Sequence, residues 1–473
     1  MLSLAIKNAR VVTPVGVIEG AVGVEGERIA YVGGEAGVPS AERVIDGGGN
    51  YLIPGFINAH VHLSGWRPGP PRETLSYTFP VQGRAALMGG ITTWGVFITA
   101  APDGTLGSAA EAYREMGAAH SLVDFYLHGI VTSEVHLAEL PELAHRHGIT
   151  SVKHFYNANK PRPGEPEPSG SIVGVESDFL YRSLERLATL GPNMLGMVHC
   201  EDQDLIWLLE DRLKAQRRHD LAAWAEARPG WVEALRMRMA FEIARAVKAP
   251  LYCVHIACSE GVDIMAEARS IGYPYWGETG PHYLSHTADM ETQIGSWGRV
   301  NTSIKWEHDR LRLWQGIREG SITNMGTDGV GFPRAAKENG GGKHGNIWNA
   351  RSTPGPMRHW LPVMMSLGVN DDRLSIEQVV QVCCTNNARV FGLYPQKGVL
   401  QEGADADLVL VDPDVVKTVD EAYYHGAADW SIYYGWKLKG DARLTVIRGK
   451  VMMEEGALKG EPGWGQYMPR SPE

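Results

Sequence analysis

Short apolar segments alternate with amphipathic segments through the middle of this chain, and this alternation constrains its fold most. Segments such as Ser108–Ala119, Asp178–Thr189, Trp231–Val247 and Glu260–Ser270 carry apolar residues at three- and four-residue spacing, which is typical of helices. Strands that alternate with helices form parallel sheets, and eight such units predict a (β/α)₈ TIM-type barrel. The eight strand candidates are Pro54–His62, Ile91–Ile98, Asp124–Val131, Ser151–Asn157, Asn193–Cys200, Pro250–Ala257, Tyr273–Thr279 and Ser321–Asp328.

An open, doubly wound sheet is the alternative fold with the same alternation of strands and helices. Such sheets usually carry a glycine-rich phosphate-binding turn after an early strand. No turn of this kind follows an early strand candidate here, and the late Gly340–His344 segment lacks the spacing of a Walker motif. We therefore expect the closed barrel.

Strand-like segments separated by turns also occur at both ends of the chain. They are Leu4–Ile6, Ala9–Val12 and Arg28–Val32 near the start, and Ala406–Val411, Leu444–Arg448 and Lys450–Met453 near the end. Because chain termini often lie close together, we expect the two ends to form one small β-sandwich domain. The predicted boundaries are 1–53 and 394–473 for this domain and 54–393 for the barrel.

Composition and charge exclude several classes of protein. The formal net charge is −10 and no Lys/Arg run is present, whereas a nucleic-acid-binding protein is more often basic. No stretch of about 20 apolar residues predicts a membrane span, and the N-terminus does not have the pattern of a signal peptide. The five cysteines have no disulfide-like spacing, which suits a reducing compartment. We expect a cytoplasmic enzyme with no nucleic-acid or membrane partner.

Polar residues close four of the strand candidates, at the end where the active sites of barrels lie. His60 and His62 are two residues apart, so their side chains point to the same face of the first strand. His199 closes the fifth candidate, His255 the sixth and Asp328 the eighth. Each residue alone has a structural interpretation, such as a satisfied buried polar group or, for Asp328, a helix N-cap. Together they indicate a metal site at the barrel mouth.

Lys153 lies inside the fourth strand candidate among apolar residues, where an unpaired ammonium is unfavourable. A snorkelling or ion-paired lysine is the structural alternative. An ammonium beside metal dications would be repelled, but the pKa of lysine shifts readily. The neutral amine can react with CO₂, and the two oxygens of the resulting carbamate can bridge two metals.

Several segments carry a resemblance to a known family. They are Pro54–His62, Lys153, His199–Asp202, Val254–His255, Glu278–Tyr283, Gly326–Asp328, Phe391–Gly398 and Gly403–Leu408. This set resembles the amidohydrolase superfamily, and most closely its hydantoinase/dihydropyrimidinase branch. The resemblance spans nearly the whole chain, and the complete set of ligand positions is a much more specific signal than the H-x-H motif alone.

The resemblance implies a binuclear metal centre in which His60, His62 and Asp328 hold one ion, and His199 and His255 hold the other. N6-carboxylated Lys153 would bridge the ions together with a hydroxide. Asp328 would also act in catalysis, by moving the proton from the hydroxide to the leaving nitrogen. The expected metals are zinc ions, with manganese or cobalt as alternatives, and the expected assembly is a homo-oligomer, either a tetramer or a dimer.

The predicted substrate-binding residues are Tyr156, Asn301 and Ser303. In the branch, a tyrosine usually follows the bridging lysine by five positions, where this chain has Ala158, and a histidine usually follows the metal-binding aspartate, where it has Gly329. The Pro- and Gly-rich segment from Ala158 to Gly174 follows the fourth strand candidate and is a candidate lid.

We therefore expect a metal-dependent hydrolase that opens a cyclic amide, imide or ureide ring, such as a hydantoin or a dihydropyrimidine. One alternative is hydrolysis of another C–N bond, in allantoin, a linear amide or a carbamate. A second alternative is a non-catalytic relative of the dihydropyrimidinases, although such scaffolds have lost metal ligands and all six ligand positions are filled here.

Overall fold

The fold is that of a computed structural model, which describes residues 1–63, 69–100, 104–162, 164, 172–355 and 357–473. In this part of the chain, eight parallel strands form the predicted barrel, and each strand pairs with the next one along the sequence. Their residues are almost all buried, as expected for strands covered on both faces. The strands are β1 Phe56–Val61, β2 Ile91–Ile98, β3 Asp124–Ile130, β4 Ser151–Tyr156, β5 Leu195–Cys200, β6 Leu251–Cys253, β7 Tyr275–Thr279 and β8 Asn324–Met325.

Backbone hydrogen bonds bring the first strand beside the segment that follows the last one. The His62 amide donates to the Gly329 carbonyl over 3.0 Å, and the Gly329 amide donates to the His60 carbonyl over 3.3 Å. Val61 and Gly329 form an isolated parallel bridge. This closure of the barrel places the two histidines of β1 next to Asp328.

Strands β6 and β8 end earlier than the sequence predicted, at Cys253 and Met325. His255 and Asp328 therefore do not close strands but follow them, with backbone φ angles of +40° and +48°. Residues other than glycine rarely adopt such angles, which are incompatible with continued strand pairing. Two of the candidate ligands thus lie in strained turns at the barrel mouth, where functional sites often hold such conformations.

Helices cover the outside of the barrel, and side-chain caps begin several of them directly after the strands. Asp202 accepts a hydrogen bond from the Leu205 amide over 3.1 Å and caps the helix after β5, which starts at Gln203, three residues beyond Cys200. The four predicted helices are confirmed, with ends that differ by one or two residues. Helices of the described residues span Arg72–Met88, Leu106–His120, Glu134–Ala138, Leu140–His145, Ser177–Leu190, Gln203–Ala215, Leu221–Glu226, Gly230–Val247, Ser259–Ser270, Pro281–Ser285, Glu291–Ile294, Glu307–Glu319 and Arg334–Glu338, and residues 360–369 and 376–390 form two more, each with a π-helical segment.

Both ends of the chain contribute to a second, mixed sheet, which confirms the predicted β domain. The two halves join where Leu408–Val411 pairs antiparallel with Tyr51–Pro54. Segments predicted as separate strands merge into longer ones, because the chain continues through a bulge between Ile6 and Ala9. The strands in the described part are Leu2–Thr13, Gly16–Glu25, Arg28–Gly33, Ala41–Asp46, Tyr51–Pro54, Leu408–Thr418, Lys437–Ile447, Lys450–Glu454 and Ala457–Leu458.

Within the described residues, no helix combines the length and the apolar character needed to cross a bilayer.

Candidate metal centre

All six predicted ligand residues line one cavity at the carboxyl ends of the barrel strands. His60, Lys153 and His199 lie on β1, β4 and β5, and the other three lie one to three residues after the ends of β1, β6 and β8. The cavity has a volume of about 260 Å³. The residues that the sequence predicted as ligands are His60, His62, Lys153, His199, His255 and Asp328, and the structure brings them together.

His60, His62 and Asp328 form a compact group of donors. One ligand atom from each lies within 4.8 Å of the other two. The Oδ1 atom of Asp328 is 3.2 Å from Nε2 of His60 and 3.3 Å from Nε2 of His62. Among the described residues, neither Oδ1 of Asp328 nor Nε2 of His60 has a hydrogen-bond partner, although both atoms are buried. Buried polar atoms are rarely left without partners, so this group fits a cation between its donors.

His199 and His255 form a second pair of donors in the same cavity. Nδ1 of His199 faces Nε2 of His255 across 2.9 Å. The other ring nitrogen of His199, Nε2, lies 2.9 Å from the Glu201 carboxylate. A histidine that ligates a metal usually donates its second ring N–H to a carboxylate in this way. The pair therefore also suits a divalent cation, with Nδ1 of His199 as the donor atom.

Lys153 reaches the cavity from the middle of β4 and is buried. It forms no salt bridge with a described residue, and its Nζ atom lies 5.2 Å from the ring centroids of both Phe97 and Phe155. Burial lowers the pKa of Lys153 to about 8, against the opposing effect of the Asp328 and Glu278 charges. A substantial share of neutral amine near neutral pH is the form that a reaction with CO₂ requires.

The protonation states suit metal binding as well. Burial lowers the pKa of His62 to about 4 and holds the pKa of His255 well below its ordinary value. Both imidazoles are therefore neutral and carry a lone pair at neutral pH. Burial alone would raise the pKa of Asp328, but His60 and His62 outweigh it and hold that pKa well below its usual range. His62 and His255 thus offer neutral imidazoles and Asp328 an ionised carboxylate, which are the forms that bind metals. Burial alone would lower the pKa of His60, but the charges of Glu278 and Asp328 outweigh it and raise that pKa.

Sequence reasoning did not identify Glu278, near the end of β7, as part of the site. Its carboxylate lies 2.7 Å from Nδ1 of His60 and accepts hydrogen bonds from the His255 amide over 3.2 Å and the Tyr252 hydroxyl over 3.0 Å. The bond to Nδ1 leaves Nε2 of His60 free to face Asp328. An acidic residue near the end of the seventh strand candidate was the available signal.

The three residues predicted to bind substrate lie in different surroundings. Asn301 lines the cavity, and its Oδ1 atom is buried without a partner among the described residues. Tyr156 and Ser303 do not line it. The Tyr156 hydroxyl is 2.8 Å from the Ser177 hydroxyl, and the Ser303 hydroxyl donates to the Arg228 carbonyl over 3.4 Å. Their roles in substrate binding remain predictions.

Two loops line the mouth of the cavity, and the sequence indicated only one of them, the candidate lid after the fourth strand. Of the candidate lid, residues 163 and 165–171 lie outside the described residues, while Asn159, Lys160 and Ile172 line the cavity. From a second loop, Arg351 and Ser352 also line it. Loop residues have no periodic pattern that would have revealed this position.

The known proteins that are similar to this chain point to one family. The profile of the amidohydrolase family matches residues 51–452. The L-hydantoinase of Paenarthrobacter aurescens is 30% identical, over 99% of this chain and 98% of its own length. The D-hydantoinase of Ralstonia pickettii is 32% identical, with 99% of each chain covered.

Solved structures of similar proteins share the fold over their whole length. The L-hydantoinase (dihydropyrimidinase) from Arthrobacter aurescens superposes with a TM-score of 0.90 at 29% identity, covering 99% of this chain and 100% of that one. The dihydropyrimidinase from Brevibacillus agri NCHU1002 has a TM-score of 0.87 at 27% identity, covering 100% of this chain and 99% of that one. The likeness therefore includes the barrel and the terminal sheet.

Proposed function

This chain belongs to the amidohydrolase family, and we propose that it is a hydrolase of cyclic amides that opens a hydantoin- or dihydropyrimidine-like ring. The observation that carries this proposal is the convergence of all six candidate ligands on one buried cavity at the barrel mouth. Full-length similarity to hydantoinases supports the cyclic amide as the class of substrate.

We infer that the site holds two divalent metal ions, with zinc as the first choice and manganese or cobalt as alternatives. His60, His62 and Asp328 would hold one ion, and His199 and His255 the other. Lys153, carboxylated by CO₂, would bridge them. The compact donor group around Asp328 supports the first ion, and the facing nitrogens of the two other histidines support the second.

The reaction adds water across a ring C–N bond. When bound, the metal ions supply a Lewis acid for the ring carbonyl and lower the pKa of water enough to provide hydroxide near neutral pH. Asp328 accepts the proton of this nucleophile and delivers it to the ring nitrogen. A C–O bond forms, the C–N bond breaks, and no oxidant or reductant is consumed. The depressed pKa of Asp328 keeps its carboxylate ionised, as a proton acceptor must be.

The same cavity offers groups that could hold a polar ring. Oδ1 of Asn301 and the hydroxyl of Ser352 are both buried and without partners among the described residues. An amide oxygen accepts a hydrogen bond, and a hydroxyl can donate or accept one. These two groups suit the N–H and C=O groups that alternate around a cyclic amide or ureide.

Ring-opening assays on a panel of cyclic amides, imides and ureides test the proposal, with protein reconstituted with zinc and bicarbonate. We expect turnover of hydantoin or dihydrouracil. Allantoin, a linear amide and a carbamate belong in the panel, because Ala158 and Gly329 stand where the branch usually has tyrosine and histidine. Turnover of only those compounds would move the assignment to another C–N bond. A reconstituted protein without metal or activity would indicate a non-catalytic scaffold.

We also propose a cytoplasmic location and a homo-oligomeric assembly, a tetramer or a dimer. All five cysteines are free and buried, which is consistent with a reducing compartment. The oligomer rests on resemblance to the hydantoinase branch alone, and light scattering of the purified protein would measure it.

A further inference from the structure

The charge at the mouth of the cavity is unevenly distributed. Among the described residues that line the cavity, Asp328 is the one acidic residue, and it belongs to the ligand set at the bottom. Away from that set, the lining carries two cationic side chains, Lys160 and Arg351. A substrate entering this cavity therefore meets positive charge before it reaches the ligand residues.

The charge of Lys160 is already offset by its neighbours. Its ammonium lies 3.1 Å from the Glu176 carboxylate and 2.7 Å from that of Asp204. These carboxylates are 55% exposed each, so water and salt weaken the pairing. Because two carboxylates face this one ammonium, Lys160 has no uncompensated positive charge to offer a ligand.

The guanidinium of Arg351 has no such neighbour. It forms no salt bridge or side-chain hydrogen bond with a described residue and lies over the Phe332 ring, 5.3 Å from the centroid. The side chain is exposed to solvent while it also lines the cavity, so it stands at the entrance.

The backbone that carries Arg351 is firmly held. Its amide donates to the Lys337 carbonyl over 2.8 Å, and its carbonyl accepts from the Lys337 ammonium over 2.8 Å. That ammonium is buried and also donates to the Thr353 carbonyl over 3.0 Å. Hydrogen bonds to Lys337 thus hold the loop that carries Arg351 in place. Little conformational entropy is therefore lost when the loop backbone is ordered around a ligand.

We propose that the natural substrate is a cyclic amide or ureide whose ring substituent bears a carboxylate, and that Arg351 binds this carboxylate. This inference rests on the proposed function, which places the scissile ring carbonyl at the ligand residues and directs the substituent towards the mouth. The planar guanidinium matches a carboxylate in geometry. A phosphate would bring about −1.5 to −2 charges, more than one free cation offsets.

Two hydantoins that differ only in charge test the inference. One bears a carboxymethyl substituent and the other the carbamoylmethyl substituent of nearly the same shape. We expect the wild-type enzyme to favour the carboxylate by about tenfold or more in kcat/KM, chiefly through a lower KM. Arg351→Met should abolish this preference, and Arg351→Lys should keep part of it.

Arg84→Met provides the matched control, since Arg84 is an exposed arginine of the helix Arg72–Met88 and does not line the cavity. It should leave the preference unchanged. A measurement independent of turnover uses calorimetry on the Asp328→Asn variant, which lacks the proton carrier. The carboxymethyl compound should bind more tightly than its amide, and adding Arg351→Met should remove the difference.

The outcomes separate this inference from the proposed function. If the wild type opens unsubstituted hydantoin but treats the two substituted compounds alike, or if Arg351→Met keeps the preference, the role of Arg351 is wrong and the hydrolase assignment stands. If no ring compound is opened by the reconstituted protein, the proposed function itself fails.

Discussion

Among the single residues, Lys153 is the one on which the proposed binuclear metal centre depends most. A buried lysine without a salt bridge to a described residue is expensive as an ammonium, and burial lowers its pKa to about 8. Conversion to a carbamate would turn this unfavourable cation into an anion beside the histidines that are proposed to bind the metals. The proposed modification would therefore remove the unfavourable buried ammonium and supply a ligand for the metals at the same time.

The variant Lys153→Ala should lose both metal and activity, because the bridging ligand is removed. We expect turnover to fall by about a thousandfold, the upper end of what one preorganised electrostatic group contributes. Short carboxylic acids should restore part of it by replacing the carbamate. Metal analysis and ring-opening assays measure both effects, and Lys459→Ala is the control, since Lys459 is exposed. Full metal and full turnover in Lys153→Ala would disprove the bridging role.

Glu278 should act as a positioning residue for His60. In Glu278→Gln, the carboxylate that faces Nδ1 of His60 becomes an amide, so the orientation and basicity of the imidazole are less well fixed. Metal affinity should fall about 10- to 100-fold, as measured by competition with a chelator. Glu377→Gln is the control, because Glu377 is exposed and far from the ligands in the fold. An unchanged metal affinity would mean that Glu278 does not position His60 for metal binding.

The predictability of individual residues follows from their local context. The ligands were found because a polar side chain after an apolar strand is conspicuous in the sequence. The sequence did not reveal Glu278, Ser352 or Arg351. Their contacts with His60 and with the cavity arise only when segments that are distant in sequence meet in the fold. A cavity-lining loop residue such as Arg351 resembles any other exposed arginine in sequence.

At the scale of elements, the site depends on how closely the ends of β1, β7 and β8 approach one another. Gly326 directly follows β8 and leaves room for its neighbours. A Cβ atom at this position would lie 2.6 Å from the Glu278 carboxylate and 2.9 Å from Cβ of His60. Glycine is therefore required here by the contact between strand ends rather than by its backbone angles.

The variant Gly326→Ala should disturb both neighbours of the added methyl group. We expect a loss of about 1–3 kcal/mol of stability, typical of overpacking, and weaker metal binding because His60 and Glu278 move. Chemical unfolding and metal titration measure the two effects. Gly34→Ala is the matched control, because a Cβ atom at that position meets nothing within 4 Å. Equal stability and metal affinity in both variants would contradict the close approach.

Strands and helices could be predicted well, and their ends less well. The apolar runs and the three- and four-residue spacing are local properties, so the eight barrel strands and four helices were recognised. The early ends of β6 and β8 were not, because the positive φ angles of His255 and Asp328 are imposed by the surrounding structure. Local patterns contain no information about such turns.

At the scale of the whole molecule, a buried ionic cluster connects the terminal sheet region to the barrel. The ammonium of Lys397 lies 2.7 Å from Asp124 at the start of β3, 3.0 Å from Asp405 and 2.7 Å from Asp407. Burial alone would lower the pKa of Lys397, but the three carboxylates outweigh it and raise that pKa. The cluster lies at the strand end opposite the candidate metal ligands.

The variant Lys397→Met should destabilise the protein by about 3–5 kcal/mol, because it removes a buried cation that faces three carboxylates. Asp124 and Asp405 keep Arg448 and Arg28 as partners, but Asp407 is left without an ion pair to a described residue. Chemical unfolding measures this loss. Lys439→Met, which removes a pair between side chains that are 43% and 80% exposed, should cost less than about 1 kcal/mol. Metal content per folded chain should stay the same in both variants. A similar small loss of stability in both variants would mean that the buried cluster stabilises the protein no more than an exposed ion pair does.

The union of the two chain ends in one sheet was predicted from their similar strand patterns, but its strand order was not. Leu408 pairs with Pro54 across more than three hundred residues of sequence. The registers of such pairings depend on burial of side chains from distant segments, which a single sequence does not display.

The most direct test of the central claim is the number of metal ions bound per chain. Elemental analysis of protein reconstituted with zinc in the presence of bicarbonate should give about two ions per chain, and a ¹³C-bicarbonate label should appear as a carbamate on Lys153. A chain that binds no zinc under these conditions, or binds it without any carbamate signal, would contradict the account.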